Sequence, residues 1–433
     1  MKKIWKKILS FSLAAGLLFS AAACGNNDEK GSDGDTAKKT EEKEQGDNSS
    51  ASGGEVNLTV WNEPPQDDDL NMYLAAEKAT GIKVNVTVIP ETEYSSKLNQ
   101  MVATGDSSQD IFIVWENDIK NFADTGGIRE LDSYLENSSV DKEHFIDAVA
   151  ELTEGLGGTY GLPWCAAVEI MYYNQDLFDE AGIEYPDNNW PYEEFLSAAE
   201  KLTKKADDGS TEIYGSDLPN LQTWWAGIGI HGDQVYDPAS GELVIGEGAE
   251  KYVSDVRNMV EQGYMPEPSS DTADLFATGK AAMAWLGSWN IGVYGGDLDF
   301  DWEICTIPTA DRKYNTLHTG FYTINDKSKN QDDAWKVIEY LMSEEGQNIN
   351  SAASGNPSAI IPIAEQGVWK VESAKTIENW EAVTDALESG VFGYTSLPSG
   401  ITGNAVSEFE SAALGMKTPE EAVEAALDYA KSQ

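Results

Sequence analysis

Residues 56–115 switch four times between two periodicities, and this narrows the fold more than any other stretch. Val56-Asn-Leu-Thr-Val60 alternates like a strand, then Leu70, Tyr73, Leu74 and Glu77 recur at helical spacing, with Gly81 as a stop. Lys83-Val-Asn-Val-Thr-Val-Ile89 reads as a second strand. Tyr94 to Ala103 reads as a helix ending near Gly105, and Asp110-Ile-Phe-Ile-Val-Trp115 as a third strand. Strand-helix-strand-helix-strand order implies a parallel sheet with right-handed crossovers. In open sheets of this kind ligands bind beyond the carboxyl ends of the strands. There the first strand delivers Trp61-Asn62-Glu63 and the third Trp115-Glu116-Asn117, both to one edge.

The chain opens MKKIWKKILSFSLAAGLLFSAAAC. A basic start, an apolar run from Ile8 to Phe19 and small residues make residues 1–23 a secretory signal peptide, too short for a membrane span. Cys24 after three alanines looks like a bacterial lipobox, with Ala21 where leucine is usual. Its thiol would take a lipid and become the mature N-terminus. Residues 24–54 hold almost nothing apolar, so they are expected to form a disordered tether with a mean reach of about 30 Å. About 380 residues remain, enough for two domains. The net charge of -46 argues against nucleic acid, whose phosphates it would repel. It reads more simply as a solvated acidic surface than as a sign of a cationic substrate.

Further helical patterns run from Tyr192 to Lys204, Glu250 to Gln262, Asp332 to Met342 and Glu408 to Leu414. A last helix opens on the capping box Thr418-Pro419-Glu420-Glu421. Strand-like pieces at 279–285 and 301–307 lie between them, so the whole chain reads as α/β with two lobes.

Four segments in order resemble the bacterial extracellular solute-binding proteins of carbohydrate ABC transporters, the group that includes maltose-binding protein. They are EKATGIKVNVTVIPETEYSSKLNQMVATGDSSQDIFIV (77–114), GGTYGLPW…MYYNQDLFDEAGI (157–183), LFATGKAAMAWLGSWNIGVY (275–294) and TGFYTINDKSKNQDDAWKVIEYLMSEEGQ (319–347). The resemblance implies a two-lobed periplasmic-binding-protein fold of type II, each lobe a mainly parallel sheet flanked by helices. It puts lobe one at 55–163 plus 308–355 and lobe two at 168–303 plus 358–433, with crossings at 164–167, 304–307 and 356–357. It also implies a mono- or oligosaccharide ligand, ABC permease subunits as partners, a monomer, no cofactor and no metal. With the lipobox it implies a lipid-anchored protein on the extracellular face of a Gram-positive cell membrane.

A sugar presents a face of C–H groups and a rim of hydroxyls; an indole offers an apolar face with one polar edge. Within AWLGSWN (284–290), Ala281 to Trp285 reads as a strand, Gly287 as a turn and Ser288 as the N-cap of a helix from Trp289 to Tyr294. Trp289 would then project at the junction as a stacking platform, as the matching tryptophan does in relatives; packing is the plainer alternative. Trp285 is a weaker candidate one turn inside. In lobe two, Gln222 and one of Trp224 and Trp225 are expected to face ligand, since this region does so in relatives. Trp115, Trp164, His318 and Gly320 are expected to line the cleft, and Asn62, Glu63, Glu116 and Asn117 to take hydroxyls. For each of these, an exposed loop or a structural role is the competing reading. Trp302, Trp335, Trp369 and Trp380 read as core. Cys165 and Cys305 fall on crossing segments that lie side by side in relatives, and could form a disulfide in an export compartment.

Other functions fit less well. GIGIHG (227–232) matches a dinucleotide fingerprint but neither follows a strand nor opens a helix. The three histidines are far apart in sequence. Two readings stay open beside sugar capture: a binding protein for a peptide or polyamine, and a secreted glycoside hydrolase. With 75 acidic residues, a chance carboxylate pair proves nothing for the latter.

Overall fold

The computed structural model describes residues 53–433 except 238–239, 269–273, 297, 372 and 375. The signal peptide, Cys24 and most of the tether expected at 24–54 lie outside the described residues.

The alternating N-terminal pattern folds as its periodicities require. Strands β1 (Glu55–Val60), β2 (Lys83–Val88) and β3 (Ile111–Trp115) are joined by helices α1 (Met72–Thr80) and α2 (Glu91–Thr104). β1 pairs in parallel with both β2 and β3. Gly81 and Gly105 close the two helices in the left-handed conformation that glycine adopts without penalty. A third helix, α3 (Glu116–Asp124), starts directly where β3 ends.

The next strands are β4 (Leu162–Pro163) and β5 (Ala167–Asn174), followed by β6 (Met283–Gly287), β7 (Trp302–Thr306), β8 (Asn315–His318), β9 (Gly320–Ile324) and β10 (Gly390–Val391). They complete two mixed sheets. The first has the order β2-β1-β3-β9-β4, with β9 antiparallel to both neighbours. The second is centred on β5, which pairs antiparallel with β6, β7 and β8. All eight residues of β5 are buried. Its alternate side chains enter two separate hydrophobic clusters: Val168, Ile170 and Tyr172 one, Met171 and Tyr173 the other. The first cluster also contains the core of sheet one.

The sheets are joined at one place. Trp164–Ala166 carries the chain from β4 to β5, and the single residue Thr319 carries it back from β8 to β9. The Thr319 hydroxyl donates to the Cys165 carbonyl at 2.6 Å, and Trp164 N–H to the Gly320 carbonyl at 2.7 Å. Ala166 N–H donates to the Pro357 carbonyl at 2.8 Å, so Asn356–Pro357 lies against the same point. The return crossing therefore falls at Thr319 and not at 304–307, because β7 and β8 both remain paired with β5. After Pro357 the chain stays with lobe one, where Ile360 bridges to Phe145. It rejoins the second layer with the helix Glu381–Glu388, which packs on β5, β7 and β8.

In lobe two the helix Leu221–Ile230 starts on a capping box between Asn220 and Thr223. Gly227 and Gly229 lie inside it. A Cβ on the first would sit 2.0 Å from the Tyr252 ring, and on the second 2.1 Å from the Tyr314 ring. These two glycines of GIGIHG thus admit aromatic rings to the helix surface. The expected C-terminal capping box is present, with Thr418 and Glu421 heading the helix Pro419–Ser432.

Cys165 and Cys305 are both buried free thiols. Cys305 sits opposite Met171 in the ladder, six residues along from Cys165. That is a separation on the order of 15–20 Å, against a limit of about 7 Å for a disulfide. Burial pushes both thiols well above their ordinary range. We expect alkylation without reductant to label both cysteines after denaturation and neither in the native protein. Mass spectrometry reads this out directly.

Candidate functional site

The carboxyl end of β3, the start of β5 and the end of β8 meet beside Thr319, and the side chains gathered there form one connected group. Trp61, Trp115 and Trp164 are each partly exposed, and Trp61 touches both of the others. The Trp61 ring centroid lies 4.1 Å from that of Trp115 and 5.2 Å from that of Trp164. Gly320 lies beneath this cluster, where a Cβ would clash with Ile113 at 2.7 Å and only touch the Trp61 ring at 3.6 Å. Trp164 is held by Asn350, which donates to its carbonyl at 2.7 Å. The Trp164 indole N–H has no protein partner.

Next to the tryptophans lies a buried charged triad. Glu116, the first residue of α3, places Oε1 3.3 Å from His318 Nδ1. Glu169, fully buried on β5, places Oε1 3.2 Å from His318 Nε2, and the Thr316 hydroxyl lies at the same distance from that nitrogen. Burial alone would lower the His318 pKa. The hydrogen bonds and charges of Glu116 and Glu169 outweigh it and raise the pKa to about 9. Glu116 Oε2 and both oxygens of Glu169 have no hydrogen-bond partner, so Glu169 meets His318 as an ion pair. Trp289 lies edge-on to the His318 ring at 5.6 Å and 88°, and Tyr394 lies 5.9 Å from it. Burial and the two carboxylates push the Tyr394 phenol well above its ordinary range, so it stays neutral.

The structure thus brings together Trp115, Glu116, Trp164, Trp289, His318 and Gly320. Asn62 and Glu63 are exposed, and Asn62 folds its amide back on Trp61. Asn117 is half-buried on the first turn of α3, and Gln222 half-buried on the first turn of the helix Leu221–Ile230. Trp224 and Trp225 correct the expectation placed on them. Both are fully buried in the core of lobe two, with Trp224 against Phe409 and Tyr252. Trp225 stacks on Tyr394 at 5.7 Å and 12°, one layer behind His318. A helix with apolar side chains all round is a buried helix, and this one offers neither indole to solvent. Trp285 is also core, packed on Phe195 and Tyr252.

The loop around Trp289 differs from its expected form. β6 extends through Gly287, and the ring of Trp289 lies over that glycine, 2.1 Å from where a Cβ would stand. The helix begins at Asn290, and Ser288 does not cap it. Ser288 instead donates to Asn356 Oδ1 at 2.9 Å and accepts from Val168 N–H at 3.3 Å, tying β6 to the hinge. Trp289 is left partly exposed.

Sequence reasoning missed Glu169 and Tyr394. Glu169 carried a signal: it is the single charge in the run Ala-Ala-Val-Glu-Ile-Met-Tyr-Tyr (166–173), and a charge in a fully buried strand requires a partner. Tyr394 had none, since its position depends on the fold of residues 390–397. Among the described residues no group of three or more His, Cys, Asp or Glu is placed to hold a metal ion, and no helix is long and apolar enough to cross a membrane.

Comparison with known proteins agrees with this architecture. Residues 62–348 match the family described as bacterial extracellular solute-binding protein, and the chain belongs to that family. The galactooligosaccharide-binding protein of Bacillus subtilis is 23% identical over 454 residues, covering 100% of this chain and 98% of its own. The erythritol/L-threitol-binding protein of Mycolicibacterium smegmatis is 25% identical over 342 residues, covering 69% of this chain and 68% of its own. Among solved structures, an ABC substrate-binding protein of Listeria monocytogenes in complex with cycloalternan superimposes with a TM-score of 0.77. It is 24% identical and covers 88% of this chain and 98% of its own. The shared fold is the two-lobed type II binding-protein fold.

The burial of Trp225 yields a direct test. Trp225→Ala should cost about 3–5 kcal/mol of stability, the range for removing a large buried aromatic. Urea denaturation of the ligand-free protein measures it.

Proposed function

We propose that this chain captures a neutral sugar or oligosaccharide between its two lobes and delivers it to an ABC importer. One observation carries the reading. The junction of the lobes is lined by the tryptophans Trp61, Trp115, Trp164 and Trp289, beside two buried carboxylates that each keep an oxygen without a partner. Flat apolar faces take the C–H face of a sugar ring, and free carboxylate oxygens accept from its hydroxyls. The sugar ligands of the relatives support the same reading. A polyamine would meet His318, a positive charge already set between the two carboxylates. In this reading the protein binds and releases its ligand without turning it over.

A calorimetric or thermal-shift screen should include mono- and oligosaccharides, with spermidine and short peptides as further arms. A ligand present at 100 times its dissociation constant adds roughly 2.7 kcal/mol of stability. Stabilisation by spermidine or a peptide with none by any sugar would sink the sugar reading. With the best sugar, Trp289→Ala should weaken binding by about 2 kcal/mol or more, while the ligand-free melting temperature changes little.

The anchor belongs to the same proposal: Cys24 carries lipid and holds the body at the outer face of the cell membrane, through residues 25–54. Cys24→Ala should move the protein from the membrane to the soluble fraction. A variant that stays membrane-bound, beside a parent without lipid mass, would remove the anchor.

A further inference from the structure

The triad joins the lobes as well as lining the site. Glu116 belongs to lobe one, at the end of β3. Glu169 and His318 belong to lobe two, on adjacent strands. His318 is also the last residue of β8, one residue before the crossing at Thr319. α3 lies against Tyr394–Ser396 of lobe two, so the lobes are in contact here.

The geometry constrains where protons sit. A neutral imidazole has one donor nitrogen and one acceptor. Here both nitrogens face carboxylate oxygens, at 3.3 and 3.2 Å. A neutral ring would turn a lone pair toward one of them. The Thr316 hydroxyl can donate to an unprotonated Nε2, but that leaves the fully buried Glu169 without a proton donor 3.2 Å away, so the two carboxylates together favour the imidazolium over the neutral ring. The ionisable groups facing His318 are Glu116 from α3, Glu169 from β5 and Tyr394 from the 394–396 turn. Beyond Glu116 lie Asp118 on α3 and Cys165 at the crossing. Both are neutralised or kept neutral more readily than usual, chiefly by burial.

We propose that His318 is a proton-dependent clamp between the lobes: closure brings Glu116 onto an imidazole already paired with Glu169, and the closed form takes up a proton. His318 is thereby a positioning residue for Glu116, a carboxylate of the binding site. When the lobes separate, Glu116 leaves with lobe one and the imidazole keeps Glu169 alone. Its affinity for the proton then falls toward the ordinary value of 6.5, from about 9 in the closed form. The sign follows. The raised value favours closure fully at pH below the open-state value, and the advantage is lost as pH rises through 9. Between those limits the closed-to-open ratio should fall by at most about tenfold per pH unit, the limit for one proton.

The inference depends on lobe closure and not on the nature of the ligand, so it is tested without one. Small-angle scattering of the ligand-free protein from pH 6 to 10 should show the radius of gyration rising at high pH. His318→Gln keeps polar contacts but cannot take the proton, and its radius should not vary with pH in this window. Glu116→Gln should behave likewise. In the wild type, carbon-detected histidine titration should place His318 well above the ordinary value of 6.5, and Glu116→Gln should bring it down. A wild-type scattering curve that superimposes on that of His318→Gln would overturn the clamp. So would a His318 resonance that titrates near 6.5, a result that stands even if the His318 variant does not fold. Failure of every sugar in the binding screen would leave these outcomes untouched.

Discussion

Strand β5 is covered on both faces and paired with three neighbours, and the second layer is arranged around it. A strand in that position has no solvent side, so all eight of its residues are buried. The charge at Glu169 is then a constraint on everything nearby. An isolated carboxylate there would cost several kcal/mol in desolvation. His318 offsets that cost through its ring, and Asn315 ties the two strands by donating to the Glu169 carbonyl and accepting from its N–H. The strand that organises the core of lobe two therefore also sets the chemistry of the cleft.

The same arrangement makes one group serve packing and recognition. Trp225 supports Tyr394 from behind, and Tyr394 borders His318 beside Trp289. The fully buried tryptophan is a wall behind the site. The partly exposed one is its face. Gly287 and Gly320 matter for what they lack: the first lets the Trp289 indole lie against backbone that a methyl group would push away, and the second lets Ile113 pack where a methyl group would clash.

Much of lobe one was legible in the sequence because its elements are local. The switch between periods 2 and 3.6 over residues 56–115 needs no knowledge of distant partners, and glycine marks the helix ends. Lobe two was harder, since its sheet is assembled from strands far apart in the chain. Nothing local says that β8 should pair with β5 before the chain turns back, and so the return crossing was placed a dozen residues early. The site divides in the same way. Trp115, Glu116, Trp289 and His318 sit at strand ends, which pattern can locate. Trp224 and Trp225 sit in a helix apolar on every side, where pattern says buried and analogy with relatives said exposed. Ser288 had the residue type of a cap, but the hinge claims its hydroxyl through Asn356.

The crossing at Thr319 bears on how such a chain can change over evolutionary time. It leaves one sheet and enters the other within a single residue. An insertion there would lengthen the crossing and separate the Thr319 hydroxyl from the Cys165 carbonyl that it binds. A deletion would pull His318 or Gly320 out of register with its partner strand. Length at this position is therefore constrained by both sheets at once, since paired strands lie on either side of Thr319. Surface loops away from the hinge, such as 206–210, can gain or lose residues without altering either sheet. Descendants of this chain would thus drift in outline and in surface while keeping the spacing between His318 and Gly320.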